Sequence, residues 1–292
     1  MVLGSPEGNW NCSTTQDTCG EHLFMQKTKI PDMSQLAGLP RAEPFEAPSS
    51  WLTRAALSQA VTPLEFLRYM GFPKNVAERG DLDLALISPH GRRVLATADP
   101  TRVAFPVAER IFSNIRTISP RWAILLHDAH GRSRFGYCVM CWRQAWVAYL
   151  PVHCRFATWR YCPLHGCLIE KACPHCGSPV VLPFDMASAG ERKDGVAYLS
   201  LCAHCGKKLT AAQPLMLEQL ALTVPQRQAL ENGRVLLAAL YHGRASINGS
   251  SWQSLRVARA AIRICSAWAM SAFDLKAERD LHLRADNPPR AP

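Results

Sequence analysis

No stretch of this 292-residue chain approaches ~18 uninterrupted apolar residues, so no membrane-spanning helix is expected. The N-terminus has no basic region leading into an apolar core, so secretion is not expected either. The chain also lacks a Gly-rich phosphate loop, a nucleophile motif and a His-x-Glu ahead of a cysteine pair. No catalytic centre is therefore expected. Acids are scarce: 23 Asp and Glu stand against 33 Lys and Arg, a formal net charge of +10. What the chain does have is apolar material, at 48%, and length enough for about two domains plus extensions.

It also has twelve cysteines, and most of them come in order. Between Cys138 and Cys205 the chain reads Cys138-Val-Met-Cys141, Cys162-Pro-Leu-His165, Cys173-Pro-His-Cys176-Gly177 and Cys202-Ala-His-Cys205-Gly206. A two-residue gap lets both side chains of a tight turn face one ion, and structural zinc takes four such ligands in a tetrahedron. Four pairs make two sites. Joining consecutive pairs gives Cys138, Cys141, Cys162 and His165 for site one, and Cys173, Cys176, Cys202 and Cys205 for site two. A crossed pairing, with Cys138/Cys141 and Cys173/Cys176 sharing an ion, satisfies the same spacing. The glycines after Cys176 and Cys205 suit the positive φ that a knuckle turn needs, and site one lacks such glycines after its cysteines. Two Zn²⁺ per chain are expected, although iron also suits a Cys₄ set. Disulfides and redox Cys-x-x-Cys pairs fit less well, since nothing marks an oxidising compartment and a redox centre needs fewer thiols. A reducing cytoplasm is the expected location. Cys154, Cys167, His153, His175 and His204 read as packed or solvent-facing neighbours of the ligands, and Cys12, Cys19 and Cys265 as free thiols.

Around this core the fold class reads as mainly α with small zinc-ribbon β elements. Residues 1–40 read as a mobile leader, 41–133 as a helical domain resembling a helix-turn-helix, 134–210 as a tandem zinc-binding module, and 211–292 as a C-terminal helical region. Ser49 or Ser50 can cap a first helix through Trp51 and Ala55. Thr62-Pro63-Leu64-Glu65 is a capping box that opens a second, which Gly71 ends. Further short helices are expected from Asp81, Ser88-Pro89, Asp99-Pro100 and Pro106. Gly131–Gly136 reads as a basic linker. Pro225 opens a helix through Tyr241, and Ser250 or Ser251 caps a long one through Trp252 to Ala269.

The positive charge is concentrated. From Thr101 to Lys171 nine Arg and one Lys face Glu109, Asp128 and Glu170, an excess of +7. Basic charge on a zinc module points to a polyanion, with double-stranded DNA first, against the plainer reading of a solvated basic face. Arg132, Arg134, Arg143, Arg155 and Arg160 surround the first site and are candidates for phosphate contacts. Arg143, Arg155 and Arg160 alternate with Trp142, Trp146, Tyr149, Phe156, Trp159 and Tyr161, rings expected to pack around the metal. Arg54 and Arg68, on the first two helices, complete the candidate DNA-binding set, with Arg68 placed for bases.

Two segments resemble the TniQ family. Pro48-Ser-Ser-Trp51-Leu52-x-Arg54 resembles its opening E-S-x-x-S-W-L-x-R, with the family's Glu displaced to Glu46 or absent. Cys138-x-x-Cys141 through Trp159-Arg160-x-Cys162-Pro163-x-His165 to Cys173-Pro174-x-Cys176 resembles its "C-P-x-C-L … W-R … C-P-x-H-x-x-L … C-P-x-C". Val139 and Trp142 stand where the family has Pro and Leu. The resemblance implies a DNA transposition protein that binds target DNA, or a CRISPR guide complex on it, and recruits an AAA+ ATPase regulator and the transposase. Such a protein is not itself a strand-transfer enzyme; a homodimer is compatible with this role. Two other classes compete: a zinc-ribbon transcription regulator, which needs no transposon partner, and a metallohydrolase or deaminase, which needs an open zinc position.

Overall fold

The computed structural model describes residues 38–73, 81–98, 105–118, 124–127, 133–182, 199–246 and 251–256. Seven α-helices are seen among them: α1 (Pro48–Ser58), α2 (Pro63–Tyr69), α3 (Leu82–Leu86), α4 (Pro89–Ala98), α5 (Pro106–Ile118), α6 (Val139–Gln144) and α7 (Val224–His242). Two antiparallel pairs of two-residue strands join them, β1 (Tyr161–Cys162) with β2 (Cys167–Leu168) and β3 (Arg244–Ala245) with β4 (Gln253–Ser254). The described residues are helix-rich with two small sheets, and among them the candidate Cys/His ligands cluster as two groups.

The capping box is present: the Glu65 amide donates to Thr62 Oγ1 at 3.1 Å, and the Thr62 amide donates to Glu65 Oε2 at 2.8 Å. Gly71, with φ +83°, closes α2. Asp81 caps α3 through the Leu84 amide at 3.2 Å. The expected serine caps of α1 are corrected. The helix starts ahead of both serines, at Pro48 after Ala47 as its cap residue; the fixed φ of Pro48 suits the first turn and its missing N–H is no loss there. The serines do other work: the Ser49 amide donates to Asp83 Oδ1 at 2.8 Å, while Ser50 Oγ donates to Glu46 Oε1 at 2.8 Å and accepts from the Leu150 amide at 3.0 Å. Residues 48–57 are all buried, so α1 is a core helix.

One apolar cluster runs from Leu39, Trp51 and Leu67 through Phe112 and Ile115 to Cys138, Trp159, Cys162 and Cys167, and on to Leu236, Leu240 and Leu255. It crosses residue 133, where the sequence reading drew a boundary. A second cluster joins Phe135, Tyr137, Val139 and Trp142 to Cys173, Val180, Leu182, Leu199, Cys202 and Leu209. The described part of the expected linker, residues 133–136, is woven between them. The Phe135 amide donates to Val180 O at 3.0 Å and the Gly136 amide to Cys154 O at 2.7 Å. Gly136 has no room for a side chain, since a Cβ there would lie 2.4 Å from Ile169 Cγ2.

Helix α7 starts at Val224 with Thr223 as its cap and Pro225 in its first turn. It ends at Gly243, whose φ of +71° is left-handed. Its Gly233 lies against Thr158, where a Cβ would meet the carbonyl oxygen at 2.1 Å. Gly233→Ala gains about 1 kcal/mol of helix propensity, but a backbone clash of this depth outweighs it. A net loss of about 1–3 kcal/mol is expected in urea unfolding; a stabilised variant would show that α7 does not seat there. The long helix expected from Ser250 or Ser251 is corrected at its start. Gln253–Ser254 pairs with Arg244–Ala245 as a strand, because Gly243 turns the chain back on itself. From residue 257 on that segment lies outside the described residues, as do residues 1–37 of the expected leader and the start at Asp99-Pro100. The leader is corrected at its end, where Leu39 is buried in the first cluster.

Candidate metal centres

Ligand atoms of Cys138, Cys141, Cys162 and His165 lie within 4.8 Å of one another, and so do those of Cys173, Cys176, Cys202 and Cys205. Consecutive pairs therefore share a site and the crossed pairing is excluded. The separations test the fit to zinc. Zn–S bonds of ~2.3 Å and Zn–N bonds of ~2.0 Å at tetrahedral angles put sulfurs about 3.8 Å apart and a nitrogen about 3.5 Å from each sulfur. Cys141 and Cys162 Sγ are 3.6 Å apart, and in the second set Cys173–Cys205 and Cys176–Cys202 are each 3.7 Å apart. His165 Nδ1 lies 3.6, 3.3 and 3.5 Å from the sulfurs of Cys138, Cys141 and Cys162. Both donor sets fit a closed four-ligand metal. The other ring nitrogen, Nε2, is 2.8 Å from Gln144 Oε1, which fixes the ring's orientation.

Three of the four pairs are made by one local device. Gly166, Gly177 and Gly206 follow His165, Cys176 and Cys205 at φ +59°, +70° and +69°. Their amides return to Cys162, Cys173 and Cys202 carbonyls at 2.8, 3.0 and 2.8 Å. Site one thus has a knuckle glycine after its histidine, which a search after cysteines alone passes over. The Cys138/Cys141 pair is built differently. Cys138 is the N-cap of α6, its sulfur accepting from the Cys141 amide at 3.3 Å, and the chain continues as helix through Trp142. That is why Trp142 can stand where a turn residue is usual: its ring stacks on Tyr137 at 4.8 Å and its Nε1 donates to Tyr149 O at 2.8 Å. Cys167 brings a fourth, fully buried sulfur beside the first set, 3.4 Å from Cys138 Sγ. Cys154 is buried as well, and burial pushes its thiol pKa upward. Burial also holds His153 neutral, with a pKa lowered to about 4.

The rings expected around the metal divide. Trp142, Phe156 and Trp159 are buried, whereas Trp146 is fully exposed. The arginines divide too. Arg54 is corrected: its guanidinium is buried against Glu46, with Nε 2.8 Å from Oε1 and Nη2 2.5 Å from Oε2, and donates to Arg41 O at 2.8 Å. Glu46, ahead of α1, thus forms one buried hydrogen-bonded set with Ser50 and Arg54 on it. Arg155 is corrected as well. It is fully buried, ion-paired with Asp81 and, at 2.8 Å, with Asp83, and donates from Nη1 to Leu126 O and Arg134 O. Burial opposes both carboxylates: at Asp81 Arg155 and His127 outweigh it and the pKa falls, while at Asp83 burial prevails and the pKa rises. Such charges cannot turn outward to a phosphate without breaking the core.

Arg143 is exposed, but its guanidinium donates to Thr210 O and Ala212 O, each at 2.9 Å, tying α6 to the turn after site two. Arg68 is exposed on α2. Arg134 and Arg160 are half-buried, and Arg132 lies outside the described residues. Lys171 sits beside Arg160 and Arg134; burial and those two charges push its pKa down to about 7.

Residues 38–169 match the model of the TniQ family. The match takes in the first metal set and stops short of the second. No curated protein matches the chain.

Proposed function

Given that this chain carries a TniQ domain over residues 38–169, we propose that it is a DNA transposition accessory protein. It binds target DNA, or a target-bound guide complex, and recruits an AAA+ ATPase regulator and the transposase. The TniQ match carries this reading. Each four-ligand set takes one Zn²⁺ in a structural role, since neither donor set leaves a ligand position for water, and we expect no strand cleavage by the chain alone. Among the described residues no helix is long and apolar enough to cross a membrane, which accords with work in the cytoplasm. A homodimer is compatible with the same role.

Phosphate contacts with duplex DNA are assigned to Arg132, Arg134, Arg143 and Arg160, and base contacts to Arg68 on α2. The log of affinity is expected to fall with the log of salt by roughly 0.9 per neutralised phosphate. Arg132→Ala with Arg134→Ala should weaken binding to every sequence and flatten that slope, whereas Arg68→Ala should reduce discrimination between sequences. Anisotropy titrations of labelled duplex across a salt series, with a parallel capture assay against an AAA+ ATPase transposition regulator, test both halves. A chain that bound neither duplex nor ATPase would overturn the proposal.

A further inference from the structure

Three short segments lie side by side above the first metal set. The Gly136 amide donates to Cys154 O at 2.7 Å, Tyr137 and Glu170 exchange backbone hydrogen bonds at 2.8 and 2.9 Å, and the Ile169 amide donates to Arg160 O at 2.8 Å. The three segments carry Arg134, Arg160 and Lys171, and the two arginines lie near enough for their charges to act on the Lys171 ammonium. The Lys171 ammonium donates to Ala157 O at 2.9 Å. Arg134 Nε and Arg160 Nε are both buried and have no hydrogen-bond partner among the described residues. The ion pairs among those residues are made by Arg54, His127, Arg155 and Arg234; these three cations make none. Arg155, close by, shows what the chain does with an arginine whose charge it intends to neutralise: two carboxylates hold it.

Buried guanidinium nitrogens without acceptors, and like charges gathered with no counter-ion among the described residues, are costly unless something else supplies the negative charge. We propose that Arg134, Arg160 and Lys171 form a binding site for a phosphate group. Two planar guanidiniums and an ammonium suit an anion with several acceptor oxygens, and the planar fork of arginine matches phosphate geometry. The phosphate comes either from a nucleic-acid backbone or from a free phosphate compound. The first source rests on the DNA-binding reading above; the site itself does not.

The test uses full-length, metal-loaded protein. Melting temperature is followed against inorganic phosphate, with chloride at equal ionic strength as the control. Above its Kd, phosphate should raise the melting temperature by roughly 3 °C for each tenfold increase. Arg160→Gln and, separately, Arg134→Gln should abolish the rise while keeping the wild-type metal content and circular dichroism. The same three proteins are then titrated with a short duplex across a salt series. If the variants lose the phosphate response and their salt slope also falls by about 0.9, the site takes a backbone phosphate. If they lose the response but keep the slope, the site stands and its ligand is a free phosphate compound. If wild type responds to phosphate but binds no duplex, the site stands and the DNA reading fails. If wild type gains no more from phosphate than from chloride, or folded variants gain as much as wild type, the site is refuted whatever the DNA result.

Discussion

Cys162→Ser is expected to abolish the folded state of most of this protein, whereas Cys202→Ser is expected to leave the main body standing. Purified wild type should carry about two zinc per chain. Both changes break a four-ligand set, and metal binding in such sets is coupled to folding with apparent energies of about 10–16 kcal/mol. The difference lies in what each set holds. Cys138 and Cys162 belong to the apolar cluster that also contains Trp51, Phe112, Trp159 and Leu240, so site one is part of the main core. Cys173 and Cys202 belong to the second cluster, with Val180, Leu182, Leu199 and Leu209. Loss of site two should therefore release that cluster, leave one zinc per chain, and preserve a cooperative melt of the helical body. Metal analysis with calorimetry distinguishes the outcomes. Equal damage from the two substitutions would show that the clusters fold as one unit, and a zinc content of one in well-folded wild type would refute the two-site assignment.

Arg155→Ala should cost about 3–5 kcal/mol, the range for removing one partner of a buried ion pair. The guanidinium is fully buried, faces Asp81 and Asp83, bridges Leu126 O and Arg134 O, and lies 5.1 Å above the Phe135 ring. Without it two carboxylates remain in a site that burial already makes hostile to charge, so the penalty exceeds the loss of the contacts themselves. At roughly 2–4 °C per kcal/mol, the melting temperature should fall by about 6–20 °C. Asp81→Asn combined with Asp83→Asn should restore part of the loss in the Arg155→Ala background, because the stranded charge is then gone. An Arg155→Ala protein with wild-type stability and weakened DNA binding would return this residue to the surface role that its position between aromatic residues suggests.

The two substitutions mark where sequence stopped and structure began. Both ligand sets and their zinc-like donor types were legible, because a two-residue gap between soft ligands is a local geometric requirement that survives any tertiary context. The Thr62/Glu65 capping box and the Gly71 stop were legible for the same reason: a cap is satisfied within one turn of chain. The pairing of ligand pairs was not local. Spacing allowed two arrangements, and the antiparallel hairpin of Cys162 and Cys167, set against α6, brings the first two pairs together. Neither was the fate of the arginines local. Charge is counted along a chain but neutralised in space. Asp81 and Asp83 fall outside the basic window from Thr101 to Lys171 yet meet Arg155 inside the core, and Glu46 reaches Arg54 across the first turns of α1. Sequence thus determined which residues could hold metal and where α2 begins and ends. Only the tertiary structure decided which charges remain for a partner, since burial and long-range pairing leave no periodic trace in the chain.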